Sequence, residues 1–138
     1  MKNLLMIITI ALLGFSSSFA HKLTVEIVGD EDTKGTYYVA MWDNEEEFLD
    51  NDKLKISENI NTKGGNVTIE IDDVSSGWWA IAVLLDENGN KDMDYNMFGA
   101  PQENFGFSNN PTVVLSEPDF RECKFYMDGD KSISIEVD

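Results

Sequence analysis

The sequence predicts an all-β domain, an antiparallel β-sandwich of about seven strands with one short helix. Three observations lead there. Apolar and polar residues alternate at period two in several separate segments, one segment is apolar on both faces, and turn-forming residues interrupt the chain at short intervals.

In chain order, Leu23, Val25 and Ile27 interleave with Lys22, Thr24 and Glu26, which describes a strand with one buried face. Gly35 to Trp42, GTYYVAMW, is aromatic and β-rich. Asp43, followed three residues later by Glu46, is a variant of the capping box and predicts the short helix, with Phe48 and Leu49 on its inner side. Val67, Ile69 and Ile71 alternate with Thr68 and Glu70. Trp78 to Leu85, WWAIAVLL, is apolar throughout and suits a central strand. Cys123, Phe125 and Met127 alternate with polar neighbours, and Asp128-Gly129 predicts a hairpin turn before Ile133, Ile135 and Val137.

At the start of the chain, Lys2 precedes an almost wholly apolar run, Leu4 to Phe15, and Ser18-Phe19-Ala20 has the small-x-small form of a secretory cleavage site. Residues 1–20 are therefore expected to be a removed signal peptide and residues 21–138 the β-sandwich domain, in a periplasm or outside the cell. The run is too short for a membrane span, and the mature chain is expected to have no membrane association. Of 138 residues, 118 remain, enough for one domain with its own core. Losing Lys2 changes the formal net charge from -16 to -17. Nucleic acid and anionic membranes both require a basic face, so this balance argues against them as partners and is compatible with cation binding.

Catalytic equipment is sparse. His21 is the only histidine and Cys123 the only cysteine, so neither a Ser-His-Asp triad nor a Cys-His pair can be assembled in the body of the domain. Cys123 reads as a buried strand residue. The runs Glu45-Glu46-Glu47 and Asp72-Asp73 leave an enzyme acting through surface carboxylates as one alternative to a non-enzymatic protein. Cleavage after Ala20 would leave His21 as the first residue, where its amino group and imidazole could together hold copper. That second alternative lacks the further histidine such a site calls for.

The most informative stretch is LLDENGNKDMDYNMFG, Leu84 to Gly99, in which a side-chain oxygen falls at every second position from Asp86 to Asn96. Calcium loops of the EF-hand type place oxygen ligands at positions 1, 3, 5 and 9 and use a backbone carbonyl at position 7. Here Asp86, Asn88, Asn90 and Asp94 occupy the first four of these, and Asp92 stands at position 7. Position 6, ordinarily glycine, is Lys91, and position 12, ordinarily a bidentate glutamate, is Met97, so a complete EF-hand is excluded. What remains is a calcium loop formed by Asp86, Asn88, Asn90, Asp92 and Asp94, closed by another ligand such as Glu103 or an acid of a neighbouring loop. The competing reading is a type I′ hairpin at Asn88-Gly89, with the oxygens on a solvated strand face.

The stretch SGWWAIAVLLDENGNKDMDYNMFGAPQENFGFSNN resembles the bacterial secreted family catalogued as domain of unknown function 2141. The shared elements are Asp86 to Asn90, then Gly99-Ala100-Pro101, then Gly106 to Asn110. The resemblance extends to LTVEIVGD, VAMWDNEEEFL and PDFRECKFYM, and so covers most of the mature chain. It departs at Lys91, where the family tends to have glycine, and at Leu85, where histidine is common. The resemblance implies an immunoglobulin-like or transthyretin-like sandwich and assigns no activity.

Phe105 to Asn110 and Pro111 combine aromatics with turn-forming residues. Two readings stand side by side: Phe105 and Phe107 cover an end of the sandwich while Asn109 and Asn110 bond the turn, or this loop receives a protein or carbohydrate ligand. Trp42, Trp78 and Trp79 could stack on sugars, although two of the three lie in core-like strands. The sequence thus describes a secreted binding or structural module of unsettled activity whose Asp/Asn loop takes calcium. Expressed in a bacterial host, the exported protein should begin at His21. An intact mass that retains residues 1–20 would overturn this.

Overall fold

The computed structural model describes residues 19–93, 97 and 101–138. Eight strands form two facing sheets in a sandwich-like arrangement. They are β1 (Ala20–Val28), β2 (Gly35–Trp42), β3 (Ile56–Thr62), β4 (Val67–Ser75), β5 (Gly77–Asp86), β6 (Phe105–Phe107), β7 (Phe125–Met127) and β8 (Lys131–Glu136). The smaller sheet has the order β4-β1-β8 and the larger β3-β2-β5-β6, with β7 also paired to β5.

The period-two segments become the inner faces, as alternation requires when one side of a strand meets the core. Leu23, Val25 and Ile27 of β1 pack with Tyr37, Val39 and Met41 of β2 and with Trp79, Ile81, Val83 and Leu85 of β5. Ile71 and Val74 of β4 both reach this core despite being three residues apart. Leu23 pairs with Ile71 but His21 with Val74, so β4 carries one extra residue there. This β-bulge turns through Asp73, whose φ is 60°, and places both acids of Asp72-Asp73 in solvent.

β5 is partly covered on its second face as well. Ala80, on the opposite side from Trp79 and Ile81, belongs to a separate cluster with Phe107, Phe120 and Cys123, against which Phe48, Leu49, Ala82 and Phe105 pack. Trp42 meets Phe48 edge-on at 5.5 Å, and Phe48 meets Phe120 at 5.7 Å. This outer layer explains why WWAIAVLL lacks alternation.

Several expectations are corrected. β1 and β8 are parallel rather than antiparallel, because the last strand enters the smaller sheet beside the first. Asp128-Gly129 is not a hairpin turn: β7 pairs with β5 and β8 with β1, so the turn passes the chain from one sheet to the other. Residues 45–49 form hydrogen-bonded turns and not a helix, ending at Leu49 with φ 66°. The reciprocal cap sits one residue later than the Asp43 pattern implies. Asn44 Oδ1 accepts from Glu47 N at 3.0 Å, and Asn44 Nδ2 donates to the Glu47 carboxylate at 2.7 Å. The short helix is instead α1 (Phe120–Cys123), where Glu122 accepts from Asp119 N at 2.8 Å. Cys123 accordingly ends a helix and is not a strand residue, although it is fully buried.

Phe107 is 8% exposed within the outer cluster. Phe107→Ala should therefore lower stability by about 3 to 5 kcal/mol, through lost transfer energy and the cavity left behind. Chemical denaturation checks this; a loss below about 1 kcal/mol would show that the ring contributes little packing.

Candidate metal site at the end of the fifth strand

β5 does not turn at Asn88-Gly89 into a paired strand. It ends at Asp86, and its antiparallel partner on that side is β6, eighteen residues further along the chain. Residues 87–93 belong to no strand, so no second strand begins at Asn90 as the hairpin reading requires; Asp94 to Asn96 lie outside the described residues.

The loop is organised by its own side-chain oxygens. Asp86 Oδ1 accepts from Gly89 N at 2.7 Å and Oδ2 from Lys91 N at 2.8 Å. Asn88 Oδ1 accepts from Asn90 N, Asn90 Oδ1 from Asp92 N, and Asp92 Oδ1 from Met93 N, each near 3.0 Å. Such turns arise because short Asx side chains reach the amide two residues on. Lys91 has φ 64°, the left-handed conformation for which calcium loops use glycine at position 6. The bend is thus made without the glycine that the loop type prefers.

Asp86 is only 2% exposed, whereas Asn88, Asn90 and Asp92 lie at the surface. Among the described residues, no lysine, arginine or histidine side chain forms an ion pair with Asp86. The structure thus brings Asp86, Asn88, Asn90 and Asp92 into one loop; Asp94 lies outside the described residues. Among the described residues no three His, Cys, Asp or Glu side chains gather as a metal-binding group, so a cation here would depend on asparagine and backbone oxygens as well as carboxylates.

Glu103 comes back alongside. Leu85 N donates to Asn104 O at 2.9 Å, continuing the β5–β6 ladder, and Glu87 N donates to Glu103 Oε1 at 3.2 Å. Glu103 is 6% exposed. Its sequence signal was faint: an acid just before the aromatic strand Phe105–Phe107.

The segment that follows is occupied with holding the two sheets together. Gly106 passes so close to β8 that a Cβ would run into the Glu136 carbonyl oxygen. Buried Ser108 accepts from Ile81 N at 2.9 Å and donates to Cys123 O at 2.6 Å. Asn109 donates to Glu122 O and Lys124 O. Asn110 donates to Ser134 O and accepts from Glu136 N, imitating a strand along the edge of β8. Asn109 and Asn110 therefore bond distant strands and α1 more than their own turn. Ser108 was not singled out in the sequence, where a serine in a polar turn carries no sign of burial. Phe105 and Phe107 also line an open groove with Tyr38, Leu84 and the exposed Val114 and Leu115.

The remaining candidates lie elsewhere. His21 of β1 places its Nε2 2.7 Å from Oγ of Ser76, in the bend between β4 and β5. Trp42 and Trp79 are buried; Trp78 is exposed, meets Tyr126 edge-on at 5.1 Å and has Lys124 Nζ 4.5 Å above its ring.

The sequence profile of the family described as an uncharacterized protein conserved in bacteria (DUF2141) matches residues 25–136. The chain belongs to this family. The match includes the Asp86 loop, Glu103 and the Gly106–Asn110 segment. No curated protein and no solved structure matches the chain.

Burial, and then the nearby Glu122 and Asp119 charges, push the Cys123 thiol up to about 12 from an ordinary 9.0. Since the folded value is the higher, this group's stability contribution is complete below pH 9 and is lost as the pH rises from 9 towards 12. The native thiol should resist iodoacetamide near pH 8 and react once unfolded. Rapid alkylation of the native protein would show the site to be open.

Proposed function

We propose that the protein is a non-enzymatic, extracytoplasmic β-sandwich module for binding or structural support, and that its loop at residues 86–96 takes calcium weakly and is stabilised by it. The single observation that carries this reading is Asp86. Its carboxylate is buried at the end of the central strand, opens a loop bent at Lys91 as calcium loops bend, and has no cationic side-chain partner among the described residues. A carboxylate removed from water without a counter-charge is costly, and loop amides offset only part of that cost. A hard divalent cation, which prefers oxygen ligands, supplies the missing charge. The N-terminal apolar segment and its small-x-small motif support the extracytoplasmic placement.

Affinity should be modest. Neutral asparagine oxygens provide much of the ligand set and Lys91 adds a positive charge nearby, which points to the range of extracellular modules, about 0.1 to 1 mM. About 10 mM calcium should then stabilise the protein by about 1.4 to 2.7 kcal/mol, visible as a raised melting temperature. Magnesium should do less, because it retains its waters and demands octahedral geometry. Asp86→Ala should abolish most of the calcium-dependent shift, and Glu45→Ala, at a distant surface acid, should not. A shift no larger than that from sodium chloride of matched ionic strength would refute the calcium reading.

A further inference from the structure

We infer that Glu103 is the carboxylate that closes this cation site, so that one ion is held by both ends of the β5–β6 connection. The inference rests on the calcium reading of the loop and adds the ligand that the loop's own sequence lacks.

The observation is a single atom. Glu103 is 94% buried, one carboxylate oxygen accepts from Glu87 N at 3.2 Å, and the other, Oε2, is buried with no hydrogen-bond partner among the described residues. Buried polar atoms are nearly always partnered, and an ionised oxygen is the most costly of them to leave alone. No lysine, arginine or histidine among the described residues forms an ion pair with it. A cation with oxygen-ligand preference satisfies this atom directly.

Position supports the assignment. The bond from Glu87 N ties Glu103 to the residue that follows Asp86, and Leu85 N to Asn104 O fixes the backbone on both sides of that junction. Asp86 and Glu103 are the two buried acids among the described residues, and they lie on adjoining strand ends. EF-hand loops take their closing carboxylate from position 12, whereas here position 12 is Met97, 89% exposed. The closing ligand thus comes from the returning chain, and the site exists only when β5 and β6 are paired.

The test is calorimetric titration of calcium chloride into the mature protein and three variants, with calcium-free melting temperatures measured alongside. Glu103→Gln keeps an oxygen for Glu87 N but removes the charge, and should weaken calcium binding about tenfold or more. Its calcium-free melting temperature should equal or exceed the parent's, because an unpaired buried charge has gone. Glu103→Asp keeps the charge but shortens its reach and should also bind more weakly; it decides the matter if the glutamine variant does not fold. Glu87→Gln, a neighbouring exposed acid, should stay within about threefold of the parent. Parent-like affinity in the Glu103 variants, or an equal loss in Glu87→Gln, would overturn the inference and leave the loop reading standing. A parent protein that takes up no calcium would overturn both.

Discussion

The rest of the structure depends on β5 having its whole inner face in the core and a second layer packed over the middle of its outer face. Ile81, Val83 and Leu85 face the smaller sheet, while Ala80 and Ala82 face the layer built by Phe48, Leu49, Phe107, Phe120 and Cys123. A strand in that position contributes more apolar burial than any edge strand and pairs with β2, β6 and β7. Its C-terminal residue, Asp86, still pairs with Thr36 of β2 and is buried there. An acid in that place is a direct consequence of where the hydrophobic run stops.

The Gly106–Asn110 segment secures that arrangement from the other side. A sandwich with short edge strands has exposed backbone groups to satisfy, and here side-chain amides do it: Asn110 lies along β8 and Asn109 along the end of α1. Phe105 and Asp138 exchange backbone bonds, joining the edge of one sheet to the chain that leaves the other. The left-handed φ of Asn109 and Asn110, 66° and 48°, suits asparagine, which tolerates this conformation better than most residues. The Ser108-Asn109-Asn110 run is thus structural in its hydrogen bonding, and the aromatics before it contribute to both the outer cluster and an open groove.

Between these fixed ends runs a loop with a different economy of charge. Asp86, Asn88, Asn90 and Asp92 hold the backbone there in successive turns, which orders their oxygens without requiring a packed core beneath them. The ordinary surface acids, such as Glu45 and Glu47, meet Arg121 and Lys55, pairs exposed enough to contribute little. Among the described residues the two buried acids, Asp86 and Glu103, have no such partners. In a chain with 26 acidic and 10 basic residues, counter-charge is scarce.

By itself the sequence determined the features that follow from periodicity and local chemistry. Alternation located β1, β4 and β8, the aromatic β-rich run located β2, the apolar run located β5, and the Asx spacing located the polar loop, because each depends on residues that are neighbours along the chain. Tertiary structure decided what depends on partners distant in sequence. β3 is too polar to announce itself, with Ser57, Glu58, Asn59 and Asn61 exposed on an edge, and is a strand because β2 offers it a ladder. The parallel pairing of β1 with β8 and the sheet change at Asp128-Gly129 depend on which edge is available after β7 has joined β5. The Asp43 segment lost its helix because Phe48 and Leu49 are used to cover Ala80's side of the large sheet, and a short run of turns does that equally well. Above all, no spacing rule joins Asp86 to Glu103. Their proximity exists only because β6 returns to pair with β5, and burial, which gives both carboxylates their chemical interest, is a property of the folded chain alone.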